Sequence, residues 1–333
     1  MTQRNEFIDI AKGVGMLWII IGHLGVFSGV WLYPIYILSL FHVAFFFFIS
    51  GFFLNPERNL KDIINSKCKR LIKPYFIYGT LALIVYLIIT PNLSENKLDK
   101  QLIDFLLGMR MKDSYIFTGA LWFLTCLFIT SIISVIILKL TFFWQCFTSI
   151  LLLLFCQYNS YKDLIILPFN LDISCYMIPV MITAFHLRKN LTKITNKNLY
   201  KPKWSLLCIA VMCANLLILK ILGIKPVNPF LNSFGIIPLT LICTITGIYI
   251  TFHITSLITY SNQTRIKQSI KYIGQNSIIY LIIHQQFILH PLNQYGLIKS
   301  PNIINGVLLL GIVLIVCTLA SFLINKKMAW SIK

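Results

Sequence analysis

Charge is scarce in this sequence, and acidic charge scarcest of all. Only 12% of the 333 residues are charged, with 10 Asp and Glu against 29 Lys and Arg. A soluble domain carries about 25% charged residues, so the composition excludes an ordinary globular protein. With 57% hydrophobic residues and a mean hydropathy of +0.79, the chain is expected to cross a membrane many times. A net charge of +19 would suggest nucleic acid in a soluble protein. Here the basic residues lie between apolar runs, where the positive-inside rule accounts for them, and no nucleic-acid partner is expected. There is no GxGxxG and no P-loop, so any phosphate must be held by side-chain charge. The nine cysteines (68, 126, 146, 156, 175, 208, 213, 243 and 317) show no metal-ligand spacing and read as small core residues. Neither they nor the scattered histidines suggest a metal. No A-x-A-like cleavage site follows the first apolar run, so that run is expected to be retained as a helix. Internal repeats, low-complexity tracts and an appended soluble domain are also missing, which leaves 1–333 as a single integral-membrane domain.

What is present is a succession of apolar runs of roughly 20 residues, the length that crosses about 30 Å of hydrocarbon. Ten are expected, near 7–27, 32–54, 72–90, 116–138, 141–158, 164–187, 204–222, 230–252, 273–290 and 303–325. With the N-terminus inside, 21 Lys/Arg collect on the cytoplasmic side and eight on the other, which predicts an all-α polytopic protein with both termini cytoplasmic. The 91–115 segment alternates charged and apolar residues at helical spacing and is expected to form an amphipathic helix on the outer surface.

The stretch from Phe7 to Leu54 concentrates chemistry within two of these runs: Asp9, Lys12, His23 and His42. On a helix, the eleven residues from Lys12 to His23 leave the two about 20° apart in azimuth and about 16 Å apart along the axis. Asp9 comes within roughly 40° of the same direction. Such a polar stripe is costly against lipid, so it should face a cavity or a protein partner. Histidine is the natural base near neutral pH, and His23 lies deep while Lys12 lies near the cytoplasmic end. One helix face thus carries a cation near its end and a candidate base deeper in, with Asp9 placed to support Lys12 and His42 to assist. The phenylalanine run 45–48 reads as lipid-facing and packing surface. His186, His253 and His290, near span ends, read as interfacial, and Tyr280 as core.

Six motifs in order along the chain resemble the acyltransferase 3 family of integral-membrane acyltransferases, and within it the branch that O-acetylates fucose and related cell-surface saccharides. They are Asp9-Ile10-Ala11-Lys12-Gly13 with Gly22-His23, Phe41-His42-Val43-Ala44 running to Ser50-Gly51, Arg70-Leu71-Ile72-Lys73-Pro74-Tyr75, Leu121-Trp122-Phe123-Leu124, Leu167-Pro168-Phe169-Asn170-Leu171-Asp172, and Gly274-Gln275-Asn276-Ser277 with Tyr280-Leu281 and His284. Two departures are Lys12 where the family usually has arginine and Val43-Ala44 in place of Met-Pro. The resemblance implies a bacterial inner-membrane enzyme using acetyl-CoA as co-substrate, with no tightly bound cofactor, and a hydroxyl of a saccharide, lipid-linked or nascent, as acceptor. It implies catalytic roles for His23, His42, Asp9 and Lys12, and donor binding by Lys12, Arg70, Lys73 and Tyr75. Trp122, Asp172 and His284 would line the acceptor pocket. Asp172, the only carboxylate in the middle of a later span, needs a partner to remain there. Two other readings stay open: a transporter or flippase of a lipid-linked sugar, and the same fold using another donor such as succinyl-CoA. The crowding of ionisable residues into the first hairpin, with no counterpart in the second half, favours an enzyme.

Overall fold

The computed structural model describes residues 5–28, 32–89, 95–110, 119–162, 166–225, 227–298 and 303–332. Among them there is no strand; the chain is an all-α polytopic membrane protein. In order, the first hairpin holds α1 (Glu6–Ser28), α2 (Leu32–Ser39) and α3 (His42–Gly51). Then come α4 (Leu60–Lys67), which runs through a π-helical stretch (Cys68–Ile72) into α5 (Lys73–Ile89), and α6 (Glu95–Leu106). The middle of the chain gives α7 (Trp122–Leu138), α8 (Phe142–Lys162), α9 (Leu171–Leu187), the short α10 (Leu191–Ile194), α11 (Pro202–Ile221) and α12 (Ile237–Thr259). Last are α13 (Thr264–Gln275), α14 (Ser277–Ile283), a second π-helical stretch (His284–Leu289), α15 (His290–Gln294) and α16 (Ile303–Lys327).

Eight helices among the described residues are long and apolar enough to span a bilayer, and they correspond to eight of the ten expected runs. The other two, the second and the ninth, are broken. The second stops at Leu40-Phe41 and restarts at His42, because its surroundings hold the break open. Thr244 Oγ1 donates to the Leu40 carbonyl at 2.9 Å, and Phe41 packs so tightly on Gly247 that a Cβ there would meet its ring at 2.1 Å. The ninth breaks at Asn276, whose side chain donates to the Tyr272 carbonyl and accepts from Asn325. The eighth span begins later than expected, at Ile237, because Pro238 occupies the first turn, where its missing N–H costs nothing. The outer amphipathic helix is Glu95–Leu106; the expected flanks 91–94 and 111–115 lie outside the described residues.

Burial separates a centre from a periphery. The α1 and α9 spans are 72% buried within the protein, whereas α8 and α11 are 17% buried and face lipid along most of their length. The Phe45–Phe48 run does not face lipid as expected. Phe45, Phe47 and Phe48 are buried, packed edge-on against Phe123 and Phe252 from two neighbouring spans. The central α1 crosses α13 at backbone contact: a Cβ on Gly274 would lie 1.8 Å from the Asp9 carbonyl, and one on Gly13 2.1 Å from the Ile270 carbonyl. Two small residues let the helices meet this closely, the usual device where lipid supplies no hydrophobic drive between helices.

Candidate functional site

The α1–α13 seam fixes the first two polar residues. Glu6 pairs with Lys271 at 2.8 Å and Lys267 at 3.0 Å, and Asp9 accepts from Gln275 Nε2 at 3.1 Å. Asp9 therefore belongs to the helix crossing, while His23 lies fourteen residues, about 21 Å, further along α1.

Following the seam away from that end, α14 and the second π-helical stretch bring His284 to His23. His23 Nδ1 and His284 Nε2 are 2.6 Å apart, the ring centroids 4.9 Å, and the ring planes differ by 6°. The centroid separation is close to the N–N distance plus one ring radius on each side, so the rings meet edge to edge and nearly coplanar. His284 is fully buried, and its Nδ1–H donates to the Tyr280 carbonyl at 2.8 Å. Tyr280 itself is core, its hydroxyl paired with Thr318.

His42 approaches from the other side of the hairpin. It is the first residue of α3, just past the elbow at Leu40-Phe41, and its Nδ1–H donates to the Leu38 carbonyl at 2.6 Å. The Thr244 hydroxyl that holds the elbow is in turn paired with Tyr176 Oη at 2.8 Å, so α9 and α12 together set the position of His42. His42 and His290 both lie within electrostatic range of His23. The structure thus pairs His23 with His284 and leaves His42, and also His290, which was expected to be interfacial, within electrostatic range of His23. Gln285 and Gln286, in the same π-helical stretch, pack against Gly119, where a Cβ would meet Gln286 Oε1 at 1.9 Å. The Gln285 amide oxygen is buried without a hydrogen-bond partner among the described residues. π-helical insertions recur at functional sites, and this one carries His284 and both glutamines.

At the basic end, the Lys12 ammonium lies over the Phe53 ring at 5.3 Å, and Lys67 feels the charges of both Arg70 and Lys12. An open groove of about 440 Å³ is lined by Arg58, Asp62, Asn65, Ser66, Lys69 and Arg70. Arg70 lies in the first π-helical stretch, four residues before Pro74. A proline there would clash with the carbonyl four residues earlier in a regular α-helix, and the widened turn relieves this. The other two expected donor residues point elsewhere. Lys73 donates to the Trp330 carbonyl and lies over the Trp330 ring, and Tyr75 is fully buried, its hydroxyl donating to the Phe105 carbonyl at 2.9 Å. Both tie α5 to other segments of the chain.

Towards the other end, Trp122 is buried edge-on against Phe123 and Phe230, and its carbonyl accepts from Thr125 and Asn170. Asp172 has the partner its position required: Arg110 Nη2 lies 2.6 Å from its Oδ2, with both side chains fully buried. Asn170, in left-handed backbone conformation, accepts from the Arg110 backbone at 2.9 Å and donates to Gly108 and Thr125. This polar knot pins the segment after α6 to the start of α9, so Asp172 is held by Arg110 rather than by the histidines. Sequence reading had counted Arg110 among the charges of the outer surface. His186 and His253 also find protein partners, Gln145 Oε1 at 2.7 Å and Ser205 Oγ at 2.6 Å. Among the described residues, no three His, Cys, Asp or Glu are placed to hold a metal ion together.

The arrangement is therefore bipolar. Lys12 lies near one end of α1, within electrostatic range of Lys67, and His23, paired with His284, lies some 16 Å further along the helix. That is the layout needed to hold an anionic carrier at one level and move a proton at another. The family model described as an acyltransferase domain matches residues 5–326 of this chain. No curated protein and no solved structure matches it.

Proposed function

The chain belongs to the acyltransferase family whose model spans nearly its whole length, and from that premise we propose that it moves an acetyl group from acetyl-CoA to a hydroxyl of a cell-surface saccharide or its lipid-linked precursor. The observation that carries this reading is the separation, along the central α1, of Lys12 from His23 and its partner His284.

In this scheme the donor's phosphates sit against Arg70, Lys69 and Arg58 at the cytoplasmic end, and Lys12 meets the carrier as it enters the bundle. The thioester reaches the level of His23. His23 takes the proton from the acceptor hydroxyl as its oxygen attacks the thioester carbon. The tetrahedral oxyanion collapses, the C–S bond breaks, and the imidazolium returns the proton to the departing sulfur. His42, fixed by the elbow, is placed to orient the acceptor. The unpaired Gln285 oxygen offers an acceptor for a neighbouring sugar hydroxyl, and a buried polar atom without a partner is most readily explained by a ligand that supplies one.

The test is incubation of the purified protein with radiolabelled acetyl-CoA and a panel of envelope saccharides, alongside His23→Ala. Label should pass to a sugar with wild type and fall by about 10²–10⁴-fold in the variant. Transfer from succinyl-CoA but not acetyl-CoA would change the donor assignment. The broken second and ninth segments are a feature transporters share. Movement of an intact lipid-linked sugar across vesicles without CoA would therefore replace the enzyme reading with a transporter.

A further inference from the structure

We propose that His284 is a positioning residue that decides which nitrogen of His23 is free to take the proton. The proposal rests on the reading of His23 as the base, and its logic is a chain of hydrogen-bond roles. A carbonyl oxygen can only accept, so the contact from His284 Nδ1 to Tyr280 requires the hydrogen on that nitrogen. In the neutral ring the other nitrogen, Nε2, must then be an acceptor. It lies 2.6 Å from His23 Nδ1, which therefore carries a hydrogen and donates it. His23 is left with its lone pair on Nε2, and a backbone carbonyl on α14 has fixed the tautomer of an imidazole on α1.

A flip of the His23 ring would replace Nδ1 with a carbon and break this edge-to-edge bond. When His23 becomes an imidazolium, its bond to His284 becomes charge-assisted and stronger, so the partner favours the charged state formed during reaction. The titratable groups within electrostatic range of His23 are its partner His284, His42 from α3 and His290 from α15. His42 is protonated in the same way, on the Nδ1 that donates to Leu38, so what singles out His284 is its 2.6 Å contact with His23 Nδ1.

Two measurements test the idea. Nitrogen-15 spectra of histidine-labelled protein should show His23 protonated at Nδ1 in wild type, and a mixture or the other tautomer in His284→Ala. A wild-type His23 carrying its hydrogen on Nε2 overturns the proposal whatever the activity. In acetyl-transfer assays His284→Ala should lower kcat by about 10²-fold, leave KM for acetyl-CoA within a factor of about two, and move the acidic limb of the kcat profile to lower pH, since the imidazolium has lost an acceptor. His284→Gln, whose amide oxygen can accept the same hydrogen, should recover part of kcat. A folded His284→Ala with an unmoved pH profile, or a His284→Gln no better than alanine, refutes the positioning role. An active His23→Ala, alongside a wild-type His23 protonated at Nδ1, refutes the base assignment instead, so the two failures can be told apart.

Discussion

Adding one methyl group at Gly274 should uncouple the site without touching it. A Cβ there would stand 1.8 Å from the Asp9 carbonyl oxygen and 2.7 Å from the Gly13 nitrogen, both backbone atoms that cannot rotate aside. To regain ordinary contact, α13 must retreat from α1 by about 1.6 Å, and forced overpacking of this kind costs about 1–3 kcal/mol. His284 lies ten residues on, past the break at Asn276, which the backbone bonds from Asn276 N–H to Tyr272 and from Tyr280 N–H to Asn276 bridge. A displacement of that size carried across it takes the 2.6 Å bond to His23 beyond hydrogen-bonding range. A misplacement of about 1 Å in a catalytic group can cost about 10²-fold in rate. Gly274→Ala should therefore unfold at a lower temperature in detergent and show a kcat depressed by about that factor. Gly311→Ala is the control, since a Cβ there meets nothing within 4 Å, and alanine in a helix interior is favoured over glycine by roughly 0.5–1 kcal/mol. If Gly274→Ala matches wild type in both melting temperature and rate, the seam does not position the imidazoles and the reasoning fails.

Asp172→Ala should destabilise the protein by about 3–5 kcal/mol, because it strands the fully buried Arg110 guanidinium, and adding Arg110→Met should recover part of that loss in thermal unfolding. Thr244→Val removes the hydroxyl that holds the elbow. It should lower kcat roughly tenfold, for a bond of about 1–1.5 kcal/mol, with KM for acetyl-CoA unchanged in initial-rate measurements. Arg70→Ala should raise KM for acetyl-CoA and flatten its dependence on salt, whereas Lys73→Ala, whose ammonium is engaged at Trp330, should leave KM within a factor of about two.

The sequence made the first hairpin legible because ionisable groups within apolar runs are expensive and so stand out. Asp9, Lys12, His23 and His42 could be picked out by that cost alone. Helical periodicity says nothing, however, about which helices meet, so the pairing of His23 with His284, 261 residues apart, could not be read. The motif that contains Arg70, Lys73 and Tyr75 reads as one unit, yet only Arg70 lines the groove; the π-helical stretch and the turn of α5 send its neighbours to Trp330 and Phe105. Arg110 was hidden by its charged surroundings, since a basic residue beside a polar loop looks solvated. The missing signal was Asp172, a buried carboxylate that required a cation from somewhere. The break in the second run was invisible because its causes, Thr244 and Gly247, are about two hundred residues away in another span.

Neither α2 nor α3 is long enough to reach across the bilayer, so neither is matched to its thickness. The depth at which His42 sits is inherited from α9 and α12 through the joint they hold, and lipid chain length acts instead on α8, α11 and α16 around the outside. Thicker or thinner membranes should then tilt the rim of the protein while the His42 joint keeps its register.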